Sequence, residues 1–372
     1  MALERLEDLG LTENERRLVS LHGFDFATFL RLKHQLSSGH FPPEQNVCQH
    51  TLTAPKASDF VPLAAAGSER AAELEALGND ALRHGKVAVV VLNGGMATRF
   101  GGRVKGVVEV VDGKSFIALR LFDVAHLPGV PVFLMNSFAT EDETRHHLTA
   151  NAWWGLDPAR VALLTQRISV RLTPKGDVYR DKHGGVGFYA PGHGDVFEVL
   201  AGAPAFHRFR DRGGHLVMVS NVDNLGATLA PRVVGAHIDS GKAVTVEVAP
   251  RLAGDKGGAP VRVDGHLEVL EGFRFPPTFG LDQIPVFNTN TMWVDVAAIK
   301  PDYPFTWFRA DKDVDGQAVV QFERLMGEVT TYVDASYLAV PRDGPEGRFL
   351  PVKTPQDLIA MQPVVRERFA HR

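Results

Sequence analysis

The sequence predicts an α/β protein built on a mixed, mostly parallel sheet, with a helical extension at its amino end. Val87, Val89, Val90, Val91 and Leu92 form a short β-branched apolar run that stops at glycines, the pattern of a central strand covered on both faces. From Val87 onward, apolar runs alternate with helical segments, which argues a largely parallel sheet packed between helices. The chain has 372 residues, 44% hydrophobic and 23% charged, so it can bury one large core and still carry appended parts.

In chain order, residues 1–85 read as helical and peripheral. Phe24, Phe26, Phe29, Leu30, Leu32 and Leu36 make an apolar stripe that ends at Ser37-Ser38-Gly39. Pro42 and Pro43 open a linker that runs to Pro55. Ser68 to Gly85 reads as a helix with Glu69 and Glu73 early and Arg83 late, as the helix dipole favours. The strands expected after Val87–Leu92 are Pro131–Asn136, Arg160–Gln166, His215–Ser220 and Lys242–Val248. The chain is expected to divide into a helical region at 1–85, an α/β core at 86–340 and a short carboxyl-terminal segment at 341–372.

Several function classes fall away on composition. A net charge of -4 gives no global attraction to nucleic acid or anionic lipid. No apolar run approaches the roughly 20 residues needed to span a bilayer, and MALERLEDLG lacks the apolar segment of a secretory signal. The lone Cys48 excludes an intramolecular disulfide and a cysteine-based zinc site. The chain therefore reads as cytoplasmic, with neither nucleic acid nor a membrane as partner, and Cys48 as a buried filler.

Chemistry concentrates at strand ends. The run VAVVVLNGGMATRFGGRVKG from Val87 leads a strand into a glycine-rich loop, at the carboxyl end where open α/β sheets bind ligands. Gly94, Gly95, Gly101 and Gly102 can adopt positive φ and bring peptide N–H groups close to anionic oxygens. Thr98, Arg99, Arg103 and Lys105 supply hydroxyl and cationic donors. Glycine pairs also make plain turns, and neither the P-loop string nor the dinucleotide fingerprint is present.

Pro191-Gly192-His193-Gly194-Asp195 sits before an expected helix. Asp195 with Glu198 three residues on suits a helix cap, with a ligand contact as the alternative. Ser220-Asn221-Val222-Asp223-Asn224 follows another apolar strand. There a carboxylate can hold a hard cation, or simply make an Asp-Asn turn. Asn288 and Asn290 could read sugar hydroxyls or shape a turn. Lys353, in LPVKT, would on composition alone be a solvated surface lysine. His146 and His147, in a charged helical stretch, carry no assigned role.

The glycine-rich loop resembles the signature of the UTP-dependent sugar-1-phosphate uridylyltransferases. LMNSFATEDET from Leu134, APGHGDVFEVL from Ala190, VSNVDNLGAT from Val219, FNTNTMW from Phe287 and FLPVKTPQDL from Phe349 resemble, in order, the UTP–glucose-1-phosphate uridylyltransferase (UDP-glucose pyrophosphorylase) family. The loop departs from that pattern at Met96-Ala97 and at Val104. The resemblance implies a Rossmann-like (GT-A-type) nucleotidyltransferase core that joins UTP and glucose 1-phosphate into UDP-glucose and pyrophosphate. It implies nucleotide contacts from Leu92, Asn93, Gly94, Gly95, Gln166, Gly192, Asn221 and Asp223. Sugar phosphate would meet His193, Asn288 and Asn290. Lys105 and Lys353 would be the catalytic lysines, and Asp223 would hold Mg²⁺.

A phosphate oxygen is already an anionic nucleophile, so this reaction needs positioning and charge neutralisation rather than a general base. Two lysines and one metal suit that demand, with Arg103 a possible partner of Lys105. The alternatives are another sugar 1-phosphate, N-acetylhexosamine or a broad set, and an inactive nucleotide-sugar-binding regulator. Relatives with a β-helical carboxyl-terminal domain use it to assemble. The residues after Lys353 are too few for the roughly three repeats such a core needs, so the expectation is a monomer or dimer and no octamer.

Overall fold

The structure, a computed structural model, describes residues 5–97, 100–255 and 257–369. An eight-stranded sheet organises it. Its strands are β1 (Val61–Pro62), β2 (Val87–Leu92), β3 (Val132–Asn136), β4 (Val161–Thr165), β5 (Leu216–Asn221), β6 (Val244–Pro250), β7 (Val286–Asp295) and β8 (Ala335–Ala339). They lie side by side in the order β1-β8-β6-β7-β5-β2-β3-β4. All neighbours run parallel except β7, which is antiparallel to both β5 and β6. The mixed, mostly parallel sheet expected from the sequence is present.

β2 is buried along its whole length, and its residues alternate between two cores. Val87, Val89 and Val91 pack into one apolar cluster, while Ala88, Val90 and Leu92 pack into the other. This period of two is the pleat of a strand with helices on both faces. Each fully buried valine contributes about 1.5–3 kcal/mol of apolar transfer, so the strand's place at the centre is strongly specified.

The connections fix where a ligand can enter. From β2 the chain moves outward through β3 to β4, then returns across the sheet to form β5 on the other side of β2. The loops after β2 and β5 thus diverge from adjacent strand ends and leave a crevice between them, a topological switch point.

Two helices meet on one face at close range. α3 (Glu69–Arg83) begins at Ser68, whose hydroxyl accepts the Ala71 N–H at 3.1 Å, and packs on α8 (Pro231–Ser240). A Cβ on Gly78 would lie 1.8 Å from the Pro231 carbonyl oxygen, and one on Gly235 1.8 Å from that of Leu74. The backbones touch, so a side chain at either site must push the helices apart. Gly78→Leu is expected to destabilise the protein by about 3 kcal/mol, read as a lower denaturant midpoint at unchanged slope. An unchanged midpoint would show that this contact adds nothing.

The amino-terminal region is helical, as expected. α1 (Glu13–Leu21) carries a Thr12–Glu15 capping box, and α2 (Phe26–Ser37) is capped by Asp25. Phe29, Leu32 and Leu36 pack against Ile168, Leu172, Phe188, Val320 and Phe322. Residues before 85 also enter the sheets. β1 pairs with β8, and Leu52–Thr53 pairs with Arg262 and Val263. The linker drawn from Pro42 to Pro55 thus contributes Leu52–Thr53 to a separate three-stranded sheet, as a strand too short to leave an alternation. Cys48 is buried and free. No described helix is long and apolar enough to cross a membrane.

Candidate active site

A cleft of about 340 Å³ opens at the carboxyl ends of β2, β3, β4 and β5. Leu92, Gly94 and Gly95 line it from the end of β2, Met135 from β3, Gln166 from just past β4, and Asn221, Val222 and Asp223 from the end of β5. Ala190, Gly192 and His193 close another side, with Lys105 and Glu323 completing the wall. A larger groove of about 870 Å³ lies beside α1 and β4. It contains none of the candidate catalytic, nucleotide-binding or sugar-binding residues, and the switch-point cleft contains most of them.

The two ends of β2 and β5 are joined by charge. Lys105 Nζ lies 2.5 Å from Asp223 Oδ2, with the two side chains 18% and 16% exposed. Lys105 is brought there by the returning loop, whose Arg103–Val104 pairs antiparallel with Met96–Ala97, and its own N–H donates to the Gly95 carbonyl at 3.3 Å. The Met96-Ala97 departure is therefore absorbed in extended pairing that needs no glycine. Thr98 and Arg99 lie outside the described residues. Gly101 and Gly102 take positive φ, at 80° and 76°. A Cβ on Gly94 would come within 2.4 Å of Gln166 Oε1, so a side chain there would have to displace the Gln166 amide.

Gln166 Nε2 donates to the Gly192 carbonyl at 2.7 Å, tying the end of β4 to the loop before α6 (Val196–Gly202). His193 Nδ1 accepts the Met326 N–H at 3.0 Å. Burial pushes the His193 pKa down, to about 4, so the ring is neutral and its proton sits on Nε2. Because the folded pKa lies below the unfolded value near 6.5, the unfolded chain binds more protons between these limits. Stability contributed by neutral His193 is complete above about pH 6.5 and is lost as pH falls towards 4. His193→Gln is expected to flatten that part of the stability–pH curve, measured by denaturant midpoints; an identical slope would assign the acid loss elsewhere.

Asp195 makes no cap hydrogen bond. It is fully buried and paired with Arg324 at 2.5 Å, because the short turn His193–Asp195 places it already in helical backbone rather than at the extended cap position. Asn93 is fully buried and turns away from the cleft, donating to Asn136 and Thr144. Its side chain ties β2 to β3 and to α5 (Glu141–Ala150). Arg103 is exposed, 3.7 Å from Glu143, and does not share the position of Lys105. His147 bonds Ser115 at 2.9 Å, a packing role.

Asn288 and Asn290 stand on β7, not in a turn. Asn290 takes φ +60°, and its Nδ2 donates to Asn221 Oδ1 at 3.0 Å, one hydrogen bond behind the cleft wall. Asn288 Oδ1 accepts the Asn290 N–H at 2.9 Å. Lys353 follows Val352, whose N–H donates to the Asp223 carbonyl at 3.2 Å. The Lys353 backbone thus reaches the site's edge while its side chain is exposed. Glu323, missed in the sequence, ends the strand Gln317–Glu323 and accepts from Gln321 at 2.8 Å. No local pattern marks it, because a hairpin brings it in from far along the chain.

Among the described residues no group of three or more His, Cys, Asp or Glu side chains gathers. Asp223 alone stands beside the lysine. That donor set suits a hard cation that takes one or two protein carboxylates and completes its shell with phosphate and water.

The sequence profile of the UTP–glucose-1-phosphate uridylyltransferase family matches residues 27–367. The chain belongs to this family. The Musa acuminata UTP–glucose-1-phosphate uridylyltransferase is 31% identical over 299 residues, covering 74% of this chain and 62% of the plant protein. The Saccharomyces cerevisiae enzyme of that name is 30% identical over 308 residues, covering 74% and 59%. The chain therefore spans about three fifths of the length of these relatives. The fold matches the Trypanosoma brucei UDP-N-acetylglucosamine pyrophosphorylase, with a TM-score of 0.75 at 20% identity, covering 94% of this chain and 79% of that one. It also matches a Leishmania major UDP-glucose pyrophosphorylase variant crystallised with UDP-glucose, with a TM-score of 0.70 at 24% identity, covering 97% and 80%. Uridylyltransferase family membership and the nucleotidyltransferase fold thus agree with the position of the cleft.

Proposed function

We propose that the cleft joins UTP and glucose 1-phosphate into UDP-glucose, releasing pyrophosphate. The observation that carries this reading is the Lys105–Asp223 pair set between the ends of β2 and β5, where opposed charges can serve phosphate and metal together. A phosphate oxygen of glucose 1-phosphate attacks the α-phosphorus of UTP in line, forming one P–O bond as the bond to pyrophosphate breaks. The nucleophile carries no proton that must be removed. What this chain supplies is alignment and charge neutralisation.

In this reading Lys105 moves from Asp223 to the polyphosphate, and Lys353 swings from solvent to the reacting phosphates. Gly94, Gly95, Gln166, Gly192 and Asn221, with Leu92 beneath, receive the nucleotide. His193 offers Nε2–H to the sugar phosphate, and Asn290 and Asn288 support the sugar side from β7. Asp223 would hold Mg²⁺, which when bound withdraws charge from phosphate oxygens.

The sugar is tested by a panel at saturating UTP and magnesium. Glucose 1-phosphate is expected to give the highest kcat/KM, at least tenfold above N-acetylglucosamine 1-phosphate. The reverse order would reassign the substrate to the N-acetylhexosamine class. No turnover with any sugar 1-phosphate, together with retained UTP binding, would favour a nucleotide-sugar-binding regulator.

A further inference from the structure

Two glycines flank His193, and their use is visible in the packing. A Cβ on Gly192 would lie 2.6 Å from the Arg324 carbonyl oxygen, and one on Gly194 2.7 Å from the Arg324 carbonyl carbon. The loop 191–195 therefore presses its backbone directly on residue 324. Main-chain hydrogen bonds lock the contact: Arg324 N–H donates to Pro191 O at 2.7 Å, and Gly194 N–H donates to Arg324 O at 2.9 Å. Two residues further, the Met326 N–H reaches His193 Nδ1.

The Arg324 side chain reaches the same loop by a second route. Its Nη2 lies 2.5 Å from Asp195 Oδ1 and 3.1 Å from Glu198 Oε2, and its guanidinium stacks on Trp307 with 4.7 Å to the ring centroid. Asp195 is fully buried, and an uncompensated charge there would be costly. The pair thus holds the start of α6 in one place, directly behind His193. A single guanidinium nitrogen bonds both carboxylates while the planar group stacks on the indole, and that stacking is the part a lysine ammonium cannot reproduce.

We propose that Arg324 is a positioning residue for the transfer reaction: it clamps the 191–195 loop so that His193 presents Nε2–H to the sugar phosphate. It touches no substrate and acts through Asp195 and the shared backbone. The role rests on the uridylyltransferase reading, whereas the clamp itself is independent of it.

The test pairs kinetics with the His193 tautomer, read from long-range imidazole nitrogen correlations in ¹⁵N-labelled protein without substrate. Wild type should show a single Nε2–H form. In Arg324→Ala the Met326 contact loosens, both tautomers appear, and kcat/KM for glucose 1-phosphate falls on the order of 10- to 100-fold. Arg324→Lys should recover part of both signals. A single Nε2–H form with wild-type kcat/KM in folded Arg324→Ala would overturn the proposal. If that variant does not fold, the same result in Arg324→Lys would overturn it. An inactive wild type would instead sink the uridylyltransferase reading and leave the clamp to be judged on the spectrum.

Discussion

Lys105→Ala is expected to lower the proposed turnover of UTP and glucose 1-phosphate by a factor on the order of 10² or more while the protein stays folded. The reason is local. The Lys105 ammonium is the one cation that the described cleft lining contributes, and it sits in a largely buried pair where charge is poorly screened. Its backbone is held separately by Gly95 and by the Arg103–Val104 pairing, so truncation leaves the loop in place. The loss should fall on kcat as well as kcat/KM, since charge on the leaving pyrophosphate grows as the bond breaks. Lys353→Ala should lower kcat comparably with no change in thermal midpoint, because its side chain is exposed in the free protein. Steady-state rates on both variants check this, and near-normal kcat in either would remove that lysine from the reacting centre.

Asp223→Asn should weaken the apparent affinity for magnesium and lower the rate together. The substitution preserves shape, and the residue's backbone bond to Val352 does not depend on its charge. It also frees Lys105 from its partner, so UTP binding without metal should tighten or hold while the metal-dependent rate collapses. A magnesium titration of initial rate, paired with UTP binding in chelator, separates the two effects. An unchanged titration and rate would return Asp223 to a structural turn at the end of β5.

Much of this was legible because the relevant signals are local. Val87–Leu92, the glycines after it and the apolar strand before Asn221–Asp223 each carry their meaning within a few residues, so the parallel centre of the sheet and both halves of the cleft could be placed. β7 could not, although it lies at the heart of the sheet. Its Asn288-Thr289-Asn290 leaves a sugar contact and a turn equally open, and only pairing with β5 and β6 makes the segment a strand. Asn93 is named as a nucleotide contact by the family resemblance alone. Here Gly106 leaves space for its amide to turn inward; a Cβ at Gly106 would come within 2.2 Å of Asn93 Oδ1. Asp195 was legible as important but not for the right reason. Its partner, Arg324, lies 129 residues away, and no spacing rule links them.

In the proposed reaction the crevice between the ends of β2 and β5 transfers a uridylyl group by charge neutralisation. The most direct measurement supplies the purified chain with UTP, glucose 1-phosphate and magnesium and follows pyrophosphate and UDP-glucose together. The expected result is equal formation of both products, abolished by chelator and depressed on the order of 10² or more in Lys105→Ala. Pyrophosphate without UDP-glucose, or product formed equally well by Lys105→Ala, would contradict it.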